Sequence, residues 1–365
     1  MQPIISFSKK DPSNFFQTIR SRVNAYFEEN NIKKTGGFEL HFKTIIMLIL
    51  YLGPFALIMA QVLPIWATFL CYMIMGLGFS GIGLSVMHDA NHGSYSKSAW
   101  LNNLMGYSMD FLGASSFTWK IQHNILHHSY TNIHHIDEDI TGKAFLRLTP
   151  GEKLKKYHRF QHIYAMLLYC FATISWVLKK DFMQLAGYNK DGTTVKYGFN
   201  PKRETIFMII AKTLYIFYSI GLPIILGVPV WIVLLGFVIM HMVAGLLITT
   251  IFQLAHVVEG PEHFSAPDDG KMESTWFIHQ LKTTANFAPK NRLITWFVGG
   301  LNFQIEHHLF PKISHIHYRN IAKIVKKTAK EFDLPYHEYS KFGIALKSHL
   351  RFLKMLGHGV SMQSH

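Results

Sequence analysis

Cysteine is almost absent from this chain. Its 365 residues hold two, Cys71 and Cys170, both inside apolar stretches. That excludes a disulfide framework and a thiolate metal site, and leaves the pair as buried free thiols. Acidic residues are scarce as well, 22 against 36 lysines and arginines, for a formal net charge of +14. A surplus of that kind can mark a nucleic-acid binder. Here the basic residues flank apolar runs, so attraction to anionic membrane lipid accounts for them and nucleic acid is not an expected partner. The first 40 residues lack the continuous apolar core of a secretory signal, and neither an internal repeat nor a low-complexity linker interrupts the sequence.

Charge is also missing from four long stretches, residues 44–63, 65–86, 206–226 and 229–254, with Lys212 the one clear exception. Each reaches the roughly 20 residues that a helix needs to cross a bilayer. The expected fold is therefore an all-α integral membrane protein, with four transmembrane helices paired in two hairpins. The turns between them, at Leu63-Pro64 and at Gly227-Val228-Pro229, are short and uncharged. Basic loops stay cytoplasmic. The N-terminus, residues 87–204 and everything after Ala255 are thus expected on one face as a helical cytoplasmic cap. Residues 1–40 read as an amphipathic cytoplasmic segment, 41–340 as the membrane domain and 341–365 as a tail, frayed from Gly357. In the first of these, Phe15, Phe16, Ile19, Val23, Tyr26 and Phe27 recur at helical spacing after a cap at Asp11 or Ser13. This predicts a helix lying on the membrane or docked on the cap.

Histidine, by contrast, is plentiful. Three clusters stand beside the apolar runs: HDANH at His88 and His92, HNILHH at His123, His127 and His128, and QIEHH at Gln304, His307 and His308. Spacings of three and four put such residues on one face of a helix. One such pair is more often a satisfied core or surface feature. Three together, at bilayer-flanking positions, point to a metal centre. The ligand count exceeds the four that one tetrahedral zinc uses, so two metal ions are expected. The Glu-x-x-His pairs of soluble di-iron bundles, the His-Glu-x-x-His zinc motif and the Cys-x-x-Cys-His haem attachment are all missing from the sequence. What remains is a histidine-rich dinuclear centre, with iron the expected metal and dioxygen its co-substrate.

A shared centre constrains topology. Residues 163–178 look membrane-like but number only 16 and end at Lys179-Lys180. A crossing there would put the third histidine cluster on the opposite side from the first two, so the segment is read as interfacial or re-entrant. Residues 100–113 are read the same way, because Asn102, Asn103 and Asp110 make spanning expensive. His241 falls inside the fourth span, about 22 Å along a helix from His256, and is expected to bond a neighbouring helix. Gly76, Gly78, Gly81 and Gly83 permit close helix packing in lipid, or could leave a slot beside the helix.

With HDANH, HNILHH and QIEHHLFP in this order, and two apolar segments between the second and third, the chain resembles the membrane fatty acid desaturases from about Phe15 to about Tyr339. The glutamine that opens the third box is similar to that of front-end desaturases, which act between an existing double bond and the carboxyl end. The resemblance implies that His88, His92, His123, His127, His128, His307 and His308 bind two irons. His256, in QLAHVVEG, matches a further ligand of acyl-CoA desaturases, and Gln304 stands where those relatives place a ninth histidine. His279 is an unplaced candidate, equally readable as a hydrogen-bonded cap residue. Asp137 and Asp139 could orient ligand rings or bind solvent.

The implied activity is oxygen-dependent insertion of a cis double bond into a fatty acyl chain, carried as acyl-CoA or acyl-lipid. Lys153, Lys155, Lys156 or Arg159 could anchor the carboxyl end, or bind lipid headgroups instead. Many front-end relatives carry a fused cytochrome b5 with a His-Pro-Gly-Gly motif. That motif is absent here, which implies a separate donor, ferredoxin or cytochrome b5 with its reductase, and a bacterial inner membrane as the location. Two alternatives stay open. Histidine-box hydroxylases or ketolases share the motifs, and a metal transporter would place its ligands near mid-membrane instead.

Overall fold

Every long uncharged stretch is helical in the structure, a computed structural model that describes residues 5–11, 13–143 and 145–360. Two compact units emerge. The first gathers the described residues up to Gly37, Gln122–Ala165 and the chain from Ile251 onward; the second is Phe38–Ile121 with Met166–Thr250.

The second unit holds the membrane hairpins. Among the described residues four helices are long and apolar enough to span: Phe38–Ala60, Ile65–Asn91, Pro201–Ile225 and Val230–His256, the last ending in the first unit. Both hairpin turns lie at one end, because the Gln61 amide of the first donates to the Leu226 carbonyl of the second at 2.7 Å. Gly227 closes its turn with φ 97°, a backbone conformation that disfavours any side chain. The third helix starts earlier than the apolar run, at Pro201, where Asn200 caps the Arg203 N–H and proline occupies the first turn.

The glycines of the second span pack. A Cβ at Gly76 would meet the Met240 carbonyl oxygen at 2.7 Å, and one at Gly78 the backbone of Leu50 and Tyr51 at 2.6–2.7 Å. Neighbouring backbones fill the space that an acyl slot at these two positions would need. Gly78→Val is accordingly expected to lower the unfolding midpoint of the solubilised protein, by about 1–3 kcal/mol of overpacking. An unchanged midpoint would refute this close-packing account.

Lys212 explains itself. Its ammonium donates to the carbonyls of Gly113 (2.7 Å) and Trp176 (3.0 Å) and to Asp181 Oδ2 (2.8 Å), so all three protons are used within the buried unit. His241 bonds neighbouring helices as expected, through Nε2 to the Tyr215 hydroxyl (2.6 Å) and Nδ1 to Thr173 Oγ1 (3.0 Å). The 163–178 segment is not one helix but breaks at Phe171, between Gln161–Cys170 and Ala172–Ser175. Residues 100–113 split likewise into Ala99–Gly106 and Ser108–Phe111.

In the first unit, Phe15–Glu29 docks on the cap. Phe15 and Ile19 pack with Leu281, Ile305, Val325 and Ala329, while Val23 and Phe27 pack with Phe303, Tyr318 and Ile321. Asp11 and Ser13 both accept N–H groups of its first turn. Two short parallel strand pairs staple the unit: Ser6–Phe7 on Lys271–Met272, and Ala285–Phe287 on His337–Tyr339. The expected 341–365 tail requires correction. Phe342–Gly357 is a helix burying Ala345, His349, Phe352, Leu353 and Leu356, and its Leu353 and Leu356 carbonyls accept from Gln161 and Arg147. Residues 1–4 of the expected N-terminal segment and residues 361–365 of that tail lie outside the described residues.

Candidate metal centre

The second histidine box departs from the expected α-helix. Lys120–His127 is π-helical, and α-geometry resumes only over His128–Tyr130. A π-turn is wider, and such turns concentrate at functional sites. Its consequence here is that residues five apart meet, with His128 Nε2 only 3.2 Å from His123 Nε2. A second π-turn, Ile82–Met87, precedes the first box. There the His88 and His92 rings lie 4.8 Å apart, both edge-on to Trp119.

Six box and near-box histidines gather within the first unit. The rings of His127, His256 and His308 form a near-equilateral triangle, with centroid separations of 4.7, 4.8 and 4.9 Å. Each can offer a ring nitrogen within 4.8 Å of the others. Beside them His128 Nε2 approaches His307 Nε2 at 3.0 Å as well as His123, so a second focus adjoins the first. All six are buried.

Four of these rings are held by their other nitrogen. Asp137 takes His127 Nδ1 at 3.0 and 3.1 Å, and the Thr283 carbonyl takes His256 Nδ1 at 3.1 Å. Gln280 Oε1 takes His308 Nδ1 at 2.8 Å, and the Tyr318 hydroxyl meets His307 Nδ1 at 3.1 Å. Because a carboxylate or carbonyl can only accept, His127, His256 and His308 must carry the proton on Nδ1, which leaves the Nε2 lone pair for a metal. The Gln280 orientation is itself fixed, since its amide nitrogen donates to the His128 carbonyl at 3.1 Å. His256 Nε2 is buried without a hydrogen-bond partner. These residues therefore fit a metal site: nitrogen donors, fixed tautomers and an unsatisfied inward atom.

Charge supports the arrangement. Burial pulls the His127 pKa down, but Asp137 and Asp139 beside it leave it raised, at about 9. Asp139 adds a weaker contact to His127 at 3.4 Å and accepts from the Gln122 amide. Glu306, between the ligands of the third box, is fully buried. Burial pushes its pKa up to about 8, against the pull of hydrogen bonds from Asn286 (2.8 Å) and Tyr336 (2.9 Å). Asn286 also accepts the Ile305 N–H at 2.9 Å, so this network pins the short Gln304–Leu309 helix.

Gln304 lies on that helix, 1% exposed, and neither its oxygen nor its nitrogen finds a partner among the described residues. His279 does not join the histidine groups. Its Nε2–H donates to the Thr131 carbonyl at 2.8 Å, the hydrogen-bonded position in the cap that was the alternative expected for it. The sequence reading singled out Asp137 and Asp139 but missed Gln280, Tyr318, Thr283 and Glu306. Gln280 adjoins the suspected His279, whereas a backbone carbonyl such as that of Thr283 leaves no signal in a sequence.

The proximity of His127 to His256 also bears on topology. Two helices between them, Pro201–Ile225 and Val230–His256, are long and apolar enough to span, an even number, with the bent pair around Phe171 as a further candidate.

Four apolar helices and a buried histidine centre define a membrane-bound metalloenzyme. The chain belongs to the fatty acid desaturase family, whose model matches residues 63–340. It is 36% identical to the sn-1 linoleoyl-lipid 6-desaturase of Synechocystis over 97% of this chain and 98% of that protein. To the enzyme of the same name from Arthrospira platensis it is 35% identical, over 94% and 92%. An acyl-lipid (8-3)-desaturase of Physcomitrium patens is 34% identical over 97% of this chain and 74% of its own length. The protein is thus an integral membrane oxidoreductase, a metal-dependent desaturase acting on an acyl substrate. Desaturases, rather than hydroxylases, ketolases or transporters, are what it resembles.

Proposed function

We propose that this protein is a front-end desaturase that inserts a cis double bond into a lipid-bound polyunsaturated acyl chain, on the carboxyl side of the existing bonds. The observation that carries the reading is the triangle of His127, His256 and His308, each ring anchored at Nδ1. The near-full-length likeness to linoleoyl-lipid 6-desaturases supports the substrate class and makes acyl-lipid a better candidate than acyl-CoA.

In this reading two irons are held by His88, His92, His123, His127, His128, His256, His307 and His308, with Gln304 as a weaker oxygen donor. Bound iron supplies the redox chemistry with dioxygen that unactivated C–H bonds demand. The protein's own residues do the rest. Asp137, Thr283, Gln280 and Tyr318 hold the rings in one orientation, which preorganises the centre. The Glu306–Asn286–Tyr336 network keeps the third box from shifting. Burial of His88, His123, His127, His128, His256, His307 and His308 keeps water from these rings and would limit side reactions. Electrons come from a separate carrier, ferredoxin or cytochrome b5, and the site faces the cytoplasm of a bacterial inner membrane.

Regiochemistry provides the test. A host expressing the chain and fed linoleate is expected to accumulate the acyl chain with a new double bond at position 6, located by mass spectrometry of derivatised lipids. A bond placed instead toward the methyl end would overturn the front-end assignment and leave the family unaffected.

A further inference from the structure

Two surfaces of the first unit are rich in lysine and arginine, and they differ in kind. Around Lys153, Lys155, Lys156 and Arg159 the exposed residues include Phe145, Leu154, Tyr157, Phe160 and Ile163. Basic and apolar groups interleaved in this way suit a lipid interface. The Tyr318–Glu331 helix is different. It buries Tyr318, Ile321, Ala322, Val325, Thr328 and Ala329 and turns Lys323, Lys326, Lys327 and Lys330 outward. No large hydrophobic residue between Leu293 and Ile344 is among the exposed ones, so this face lacks the apolar groups that mark the first surface.

Its charge is only partly answered within the chain. Glu338 pairs with Lys326, and Glu331 with Arg22 and Lys327, while Lys323 and Lys330 have no ion pair among the described residues. The four lysines run about 10 Å along the helix, two turns of one exposed face. Its first residue, Tyr318, places its hydroxyl 3.1 Å from His307 Nδ1, and His307 Nε2 lies 3.0 Å from His128 Nε2. One side chain and one hydrogen bond therefore separate the start of the basic helix from the histidine centre.

We infer that the basic face of this helix is the docking surface of an acidic one-electron carrier protein, whose electrons enter past Tyr318 and His307. The inference rests on the desaturase reading. Each turnover breaks two C–H bonds of adjacent methylenes and forms one C=C bond. Those two hydrogens, two protons from solvent and two electrons from the carrier reduce one dioxygen to two waters. The carrier must therefore deliver twice per double bond, and complementary charge favours rapid encounter and release.

The test uses the iron-loaded full chain in lipid nanodiscs, with a plant-type ferredoxin and the soluble haem domain of a cytochrome b5 as probes. The double reversal Lys323→Glu with Lys327→Glu is compared with Lys347→Glu and Arg351→Glu, at exposed positions of the C-terminal helix. For the first variant the KM for at least one carrier should rise about tenfold or more at low salt, with the gap narrowing as salt screens the contact. Its turnover driven by dithionite and methyl viologen should match wild type, and the second variant should keep the wild-type carrier KM. Carrier affinity is also measured without turnover, by surface plasmon resonance, so that a disturbed centre does not mask the result. Unchanged affinity in the first variant, or equal losses in both, overturns the proposal. A loss of dithionite-driven turnover confined to phosphatidylglycerol-containing discs would make the face a lipid contact and overturn it as well. Intact carrier binding with no desaturation under any reductant would sink the desaturase reading while leaving the surface standing.

Discussion

Alanine at His308 is expected to abolish desaturation and to strip metal from the purified protein, where wild type is expected to carry about two irons per chain because its donor set exceeds one metal's capacity. The expectation follows from three facts about one ring. His308 stands at a corner of the triangle with His127 and His256, its Nδ1 is held by Gln280, and its face stacks on His128 at 4.4 Å. Its loss removes a donor from one focus and a wall from the other. Loss of a mere orienting partner typically lowers metal affinity about 10–100-fold, so loss of a ligand should exceed that. His127→Ala, His128→Ala and His307→Ala should behave alike, with helix content by circular dichroism preserved. Iron content by plasma mass spectrometry and product by gas chromatography are the measurements. Full activity in two or more of the four variants would sink the di-iron reading.

How much of this was legible beforehand depends on what each feature is made of. The spans were, because a bilayer demands long uncharged runs and little else produces them. The histidine positions were legible as well, but not the helix that presents them, since i,i+4 spacing is shared by α- and π-geometry and only the fold selects the wider turn at Lys120–His127. Lys212 showed as an anomaly in an apolar run. Its partners, the carbonyls of Gly113 and Trp176 with Asp181, come from distant parts of the sequence and could not be named. The C-terminal helix was an avoidable miss, for Ala345, His349, Phe352, Leu353 and Leu356 follow the periodicity of a buried helix face. Thr283 lay beyond reach, because it acts through a carbonyl that every residue possesses.

Asp137→Asn should lower iron affinity and turnover by about 10–100-fold without removing any ligand. Asp137 is fully buried and occupied on both oxygens. Oδ1 accepts the Asp139 N–H and Oδ2 the Asn132 N–H, each at 2.9 Å, while both approach His127 Nδ1. An asparagine keeps the shape but exchanges one acceptor for a donor, so one backbone N–H loses its partner at about 1–3 kcal/mol. If its NH2 turns toward His127, the ring must accept at Nδ1 and protonate Nε2, and its metal-binding lone pair is lost. The pH dependence carries a definite sign. In metal-free wild type the His127 pKa is raised from 6.5 to about 9, so its stabilising contribution is complete below 6.5 and disappears as pH climbs through about 9. Iron must displace that proton, so affinity should strengthen across the same window, and the asparagine variant should show little further gain above about pH 7, with His127 near its ordinary value. Ferrous titrations under argon at several pH values can follow this. Excess iron should restore part of the activity of Asp137→Asn and none of that of His308→Ala, because misorientation weakens a site that ligand loss destroys. Equal affinity and an identical pH profile in Asp137→Asn and wild type would mean that the carboxylate serves only the loop.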